Sequence, residues 1–111
     1  VSKSTSIKDV IIEISKNRFG ATAVTDVKNQ IVGIITDGDL RRSLEKNSDF
    51  TKLQAKDIMT AKPKVINSHA LVYDAFKIMK SHNITQLIVL NNNIYFGVIH
   101  IHDIIEEGIV K

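Results

Sequence analysis

Apolar residues recur along this chain with two different spacings. After Asp9, the residues Val10, Ile11 and Ile14 fall at i, i+1 and i+4, one face of a helix that Gly20 ends. Ala21 to Thr25 is a short run of small and β-branched residues. Asp26 to Gln30 is turn-like, and Ile31 to Thr36 is a second apolar run interrupted by Gly33, so the pattern predicts a hairpin. Asp39 then stands as the N-cap of a short helix with Leu40 and Leu44 on one face, and Gly38 beside it suits a tight strand-to-helix turn. The second half repeats this order. A helix from about Leu71 to Ser81 leads to a strand from Thr85 to Leu90, a turn at Asn91-Asn92-Asn93 and a strand from Tyr95 to His100. Asp103 opens a last helix carrying Ile104, Ile105 and Ile109. Between the halves, Asp57-Ile58-Met59-Thr60 predicts a helical turn that Pro63 breaks, and Lys64-Val65-Ile66 is a brief strand to which Val1 corresponds in the first half. Met59, Met79, Phe19, Phe76 and Phe96 fall on apolar positions and are expected in the core.

The halves also match residue by residue. Val10, Ile14 and Val24 align with Ala75, Met79 and Val89 at a constant offset of 65 positions. Dropping one residue in the turn then aligns Ile31 to Leu40 with Tyr95 to Ile104, with Gly and Asp coincident in both copies. The expected fold is α+β: two helix-strand-strand-helix repeats related by a pseudo-twofold, with small sheets packed against helices. The first repeat is read at 1–48, a linker at 49–63 and the second repeat at 64–111. A unit this small leaves an apolar sheet face that its own duplicate can bury. Two equivalent clefts are then expected where the second strands end and the next helices begin, and helix N-termini favour anions.

Composition narrows the function classes. The 111 residues are 43% apolar, enough for one core or two small ones. With no cysteine there is neither a disulfide framework nor a zinc ribbon. No apolar stretch approaches the roughly 20 residues of a membrane span, and nothing resembles a signal peptide, which suits a cytoplasmic protein. The first residue is Val1 and pattern begins almost at once, so the chain reads as a piece of a longer protein whose counterpart of Asp57 to Thr60, ahead of copy one, lies outside it. The net charge of +3 comes from 15 basic and 12 acidic residues spread along the chain, which does not point to nucleic acid. Arg41-Arg42 and Lys62-Pro63-Lys64 are local exceptions that can attract an anion or be solvated surface.

Candidate chemistry gathers at the two strand-to-helix junctions. Thr36 and Asp39 suit a strand end and an N-cap without any ligand, and they equally suit a cleft in which a hydroxyl donates to phosphate and a carboxylate accepts from vicinal hydroxyls. Asp37-Gly38-Asp39 lacks the longer acidic spacing of a calcium loop. His100 and His102 lie two apart beside Asp103. Three adjacent positions rarely wrap one tetrahedral zinc, so imidazoles contacting a sugar acid or phosphate, or plain packing, are preferred to a metal. Arg41 and Arg42, in the first turn after the motif, can clamp a carboxylate or phosphate, face a neighbouring domain, or be solvated. No nucleophile–base pair and no Walker-type loop is visible, so no catalysis is assigned to this chain.

The arrangement resembles the tandem cystathionine-β-synthase (CBS) domain pair, on the motif Gly-apolar-x-Thr/Ser-x-x-Asp/Asn. Gly33-Ile34-Ile35-Thr36-Asp37-Gly38-Asp39 fits it throughout; the second copy keeps Gly97 and Asp103 but has His100 in place of Thr or Ser. The resemblance implies that Thr36 contacts a ligand phosphate and Asp39 ribose hydroxyls. It also implies that Thr22 and Gln86, near the starts of the first strands, line the clefts, and that Thr60 and Lys64 approach the second cleft from the linker. Three runs are similar to the C-terminal part of bacterial D-arabinose 5-phosphate isomerases: Thr36 to Arg42, Asp57 to Thr60, and His100 to Asp103 with Gly108-Ile109-Val110. That family implies a sugar-isomerase (SIS) catalytic domain as a partner outside this chain, homo-oligomers through CBS pairs, no required cofactor, and an anionic effector such as CMP-Kdo or another nucleotide. Kdo is 3-deoxy-D-manno-octulosonate, a component of lipopolysaccharide. The rival reading is an assembly module that binds no ligand.

Overall fold

The computed structural model of the chain describes residues 1–16, 20–46 and 49–106, the side chains of 105 and 106 excepted. Phe19, Ile109 and the run Gly108-Ile109-Val110 lie outside the described residues. The fold is α+β and divides into two units, Val1–Pro63 and Lys64–Lys111. Residues 49–63, read above as a linker, therefore pack as part of the first unit.

In the first unit, α1 (Ile7–Lys16) is followed by β1 (Ala21–Thr25), β2 (Ile31–Thr36), α2 (Asp37–Lys46), a 3-10 turn (Phe50–Lys52), α3 (Ala55–Ile58) and β3 (Thr60–Ala61). The hairpin has the expected boundaries, and its turn is held by Asp26 Oδ1, which accepts from the N–H groups of Lys28 and Gln30, each at 2.9 Å. Asn29 completes that turn at φ 60°. α1 begins two residues before Asp9, because the Ile7 N–H donates to the Leu53 carbonyl at 3.1 Å, a partner distant in sequence. The helix buries Ile7, Val10 and Ile14 against Val24 and Ile35 of the sheet and Ala55 and Ile58 of α3. This is the i, i+3, i+7 stripe of an amphipathic helix.

The second unit contains β4 (Val65–Asn67), α4 (Val72–His82), β5 (Gln86–Asn91), β6 (Ile94–His100) and α5 (Ile101–Glu106). Asn83 ends α4 in the left-handed conformation, and Asn92 and Asn93, both at positive φ, form the two-residue turn of the β5–β6 hairpin. The core is Ala75, Met79, Leu87 and Ile104, with Phe76, Ile99 and Ile101 packed against it.

The duplication seen in the sequence is repeated in hydrogen bonds. β4 runs parallel to β5 with Ile66 beside Val89; at the equivalent place the Val1 ammonium donates to the Ala23 carbonyl and the Thr25 N–H to the Val1 carbonyl. Each hairpin carries a bulge, at Val24/Thr25 and at Val89/Leu90. The extra residue is Val32 in one copy and Phe96 in the other. Val32 packs on its core, whereas Phe96 is 66% exposed, which corrects the expectation that it is a core residue. Met59 and Phe76 border their cores and Met79 is fully buried, as expected. Leu44 is exposed, so only Leu40 of α2 faces apolar neighbours.

The paired glycines differ in the same way. A Cβ on Gly33 would stand 2.6 Å from Met59 Sδ and 3.0 Å from the Thr60 carbonyl oxygen, because β3 lies directly against β2. A Cβ on Gly97 would meet nothing within 4 Å. Gly33→Ala is therefore expected to destabilise the chain by about 1–3 kcal/mol through overpacking. Gly97→Ala should stay within about 0.5 kcal/mol of wild type. Urea unfolding of the two variants side by side checks this.

Candidate functional site

Each unit places its candidate residues where its second strand hands over to its last helix. In the first unit β2 ends at Thr36 and α2 starts at Asp37 without an intervening loop. The Asp37 N–H donates to the Gly20 carbonyl at 2.9 Å, tying the start of the helix to the start of β1. Gly20 adopts φ 66°, a left-handed conformation open to glycine without strain, and so turns its carbonyl into that position.

Thr36, not Asp39, is the N-cap; Asp39 is the third helical residue. The two form a reciprocal capping box: the Asp39 N–H donates to Thr36 Oγ1 at 3.2 Å, and the Thr36 N–H donates to Asp39 Oδ2 at 2.9 Å. The reading of Asp39 as N-cap fails because Thr36 serves as both the last strand residue and the cap. Arg42, one helical turn on, donates from Nη2 to Asp39 Oδ1 at 2.6 Å. The carboxylate, with its side chain only 10% exposed, thus has both oxygens engaged, while the Arg42 side chain is 60% exposed. Gly38 has no positive φ, so its role differs from the tight turn expected of it. A Cβ there would stand 3.1 Å from Arg42 Nη1, and its absence lets the guanidinium lie across the first turn.

The i, i+3 spacing of Asp39 and Arg42 is the sequence signal for this ion pair, which none of the three readings of Arg42 as clamp, domain contact or solvated surface included. Arg41 is exposed and forms no ion pair among the described residues.

The second junction copies the plan with other chemistry. The Ile101 N–H donates to the Thr85 carbonyl at 2.8 Å, the counterpart of the bond from Asp37 to Gly20. His100 occupies the N-cap, and its Nδ1 accepts from the His102 N–H at 3.1 Å. With that lone pair turned to the helix, Nε2 is left as the ring donor of the neutral imidazole. The rings of His100 and His102 stack, 4.9 Å between centroids and 11° between planes, with His100 ending β6 and His102 already in α5. α5 begins at Ile101, two residues before Asp103, which is exposed and has no hydrogen bond among the described residues. The buried capping carboxylate of the first copy therefore has no equivalent here.

Register separates the other candidates. Gln86 pairs with His100 across β5 and β6, so the two share a sheet face. The equivalent partner of Thr36 is Ala21; Thr22 pairs with Ile35 and lies on the face of Val24, toward α1. Thr22, buried at 7% exposure, thus does not share a face with Thr36. Thr60 is an exposed residue of β3, paired with Ile34 in the first unit, and Lys64 is exposed at the start of the second. An open hollow of about 390 Å³ lined by Ser2, Lys3, Ser4, Thr25, Asp26 and Val27 lies at the opposite end of the first sheet from Thr36. Among the described residues there is no group of three or more His, Asp or Glu able to hold a metal ion, and no helix long and apolar enough to cross a membrane.

Comparison with known proteins adds three findings. The CBS domain family matches residues 1–46 and 55–109. The chain is 36% identical over 110 residues to the arabinose 5-phosphate isomerase KdsD of Yersinia pestis, and 40% identical over 109 residues to an uncharacterised protein of Rickettsia prowazekii. These matches cover 99% and 98% of this chain but 34% of each relative, so the chain spans about a third of the length of the curated relatives it matches. Among solved structures, a CBS domain protein from Pyrobaculum aerophilum complexed with AMP aligns at TM-score 0.83 and 24% identity, over 99% of this chain and 90% of that one. A CBS-domain containing protein from Agrobacterium tumefaciens aligns at TM-score 0.86 and 21% identity, over 97% and 86%.

Proposed function

The chain belongs to the CBS-domain family, and from that premise we propose that it is the regulatory ligand-binding module of a D-arabinose 5-phosphate isomerase, sensing an anionic nucleotide or nucleotide-sugar such as CMP-Kdo. The observation that carries this reading is the Thr36–Asp39–Arg42 group: a buried carboxylate whose Oδ1 is engaged by an exposed guanidinium at the N-terminus of a ten-residue helix. Vicinal hydroxyls of a sugar can take the guanidinium's place at Oδ1, since a carboxylate accepts from both. The displaced Arg42, with Arg41 beside it, then meets the ligand's phosphate or carboxylate, for which a planar guanidinium offers paired donors. A ligand carrying both hydroxyls and an anionic group is therefore favoured over one carrying either alone.

At the second junction the ring donors of His100 and His102, with Gln86 on the His100 face, suit the carboxylate of a sugar acid better than the ribose of an adenosine nucleotide. Support for the parent activity comes from the relatives named arabinose 5-phosphate isomerase, and support for a nucleotide-like effector from CBS neighbours solved in complex with AMP. Catalysis belongs to the SIS domain outside this chain, and the module acts by favouring one state of the attached enzyme when its ligand is bound.

Calorimetric titration of the chain with AMP, ATP, CMP, CMP-Kdo and arabinose 5-phosphate tests the reading. The expected result is saturable binding of CMP-Kdo, weakened at least tenfold, about 1.4 kcal/mol, in Arg42→Gln. Binding of AMP or ATP alone would move the effector to an adenosine nucleotide. No heat with any of the five would favour the assembly reading.

A further inference from the structure

At the first junction the carboxylate proposed to receive sugar hydroxyls is held by the chain itself. Asp39 Oδ2 accepts from the Thr36 N–H at 2.9 Å, and Oδ1 accepts from Arg42 Nη2 at 2.6 Å. The guanidinium reaches back across the first turn of α2 because Gly38 has no side chain. A Cβ on Gly38 would stand 3.1 Å from Arg42 Nη1, 3.6 Å from Nη2 and 3.6 Å from Thr36 Oγ1. The guanidinium and the Thr36 hydroxyl therefore meet over the same glycine.

The second repeat forms its helix without this contact. In the alignment of the repeats, Thr36, Gly38, Asp39 and Arg42 correspond to His100, His102, Asp103 and Glu106. A ring stacked on His100 stands where the first copy has a glycine, Asp103 is exposed, and an acid takes the position of the arginine. α5 forms nonetheless. Nor does the pair add much stability in the first copy, since the Arg42 side chain is 60% exposed and largely hydrated. Its main consequence is that a buried acceptor, 10% exposed, carries a cation of the chain's own.

We infer that Arg42 is a built-in competitor for Asp39, which makes this cleft reject uncharged sugars and nucleosides while admitting anionic ligands that carry the same hydroxyls. The inference rests on the reading of this junction as the sugar-binding cleft and adds the cause of its selectivity. A neutral ribose that takes Oδ1 breaks a charge-assisted hydrogen bond, replaces it with bonds from neutral hydroxyls, and leaves the guanidinium without an anion. A phosphorylated ligand presents the same hydroxyls and gives the guanidinium a new anionic partner, so the ion pair is exchanged instead of lost. Arg42 thus acts with opposite sign on the two ligands, lowering the affinity of the uncharged one and raising that of the charged one. A residue that only contacted phosphate would leave the uncharged ligand untouched, and one that only supported the fold would act on both alike.

Titration of the isotope-labelled chain with CMP and cytidine, and with AMP and adenosine, followed at the Thr36 and Asp39 amides, tests this. For the pair whose nucleotide binds wild type, Arg42→Gln is expected to weaken the nucleotide at least tenfold. The same substitution should tighten the nucleoside by roughly threefold, the size expected from freeing Asp39 of one exposed ion pair. The bond to Asp39 comes from a single nitrogen, so Arg42→Lys can keep it and should hold the nucleoside at its wild-type affinity. Weakening of both ligands alike by Arg42→Gln, an unchanged nucleoside affinity, or a tightening that Arg42→Lys shares would overturn the competitor role and leave the cleft in place. Binding of neither nucleotide to wild type would instead overturn the reading of the junction as a sugar-binding cleft, and the competitor role with it.

Discussion

Replacing Leu87 by alanine is expected to cost the second unit about 2–5 kcal/mol. Leu87 is fully buried in β5, the central strand of its sheet, among Ala75, Met79 and Ile104. Truncation removes the transfer free energy of the lost carbons and leaves a cavity. Strands on both sides fix the backbone of β5, so the site cannot close around that cavity. Set against a total stability of about 5–15 kcal/mol, a loss of this size removes a large share of what holds the fold. Urea unfolding followed by amide signals of each unit measures it; a loss under about 1 kcal/mol would mean that the core is not packed as described.

Asp39→Ala should produce the larger functional effect. Its carboxylate satisfies the Thr36 N–H and holds Arg42, and in the proposed complex it receives the sugar hydroxyls. Loss of the reciprocal cap should destabilise the chain by about 0.5–2 kcal/mol. Loss of the pair with the largely exposed Arg42 adds little. Ligand affinity should fall by at least tenfold, about 1.4 kcal/mol. Arg42→Gln separates the two effects, because it leaves the Thr36–Asp39 box intact. It should weaken binding while keeping stability close to wild type, and calorimetry with parallel urea unfolding checks both values. If Asp39→Ala binds as tightly as wild type, the carboxylate is a cap and nothing more.

The strands of the first repeat were legible to the residue because β-branched runs there are bounded by Gly20 and by the polar stretch from Asp26 to Gln30. Helix starts were less legible. α1 starts at Ile7 because of a bond to Leu53, which no local pattern contains, and α2 starts at Asp37 because Thr36 closes the strand and caps the helix together. Period-two alternation cannot show which face a strand turns to the core until the register is known. For that reason Thr22 and Gln86, both polar and near strand starts, were grouped although the pairing puts them on non-equivalent faces. Phe96 looked like core because its pattern matches Val32. What covers Val32's neighbourhood, however, is a segment outside the repeat itself, so the difference lies in long-range packing. The motif named Thr36 and Asp39, which the structure joins in a capping box, but did not contain the ion pair between Asp39 and Arg42.

Thermal unfolding of the chain with increasing CMP-Kdo, for wild type and Asp39→Ala together, tests the central claim most directly. A ligand that binds only the folded form must raise its melting temperature, by about 2.7 kcal/mol of added stability at a hundredfold excess over Kd. The account predicts a saturable rise in wild type that Asp39→Ala loses. No rise with CMP-Kdo, nor with any nucleotide at the same excess, would contradict it and leave an assembly module in its place.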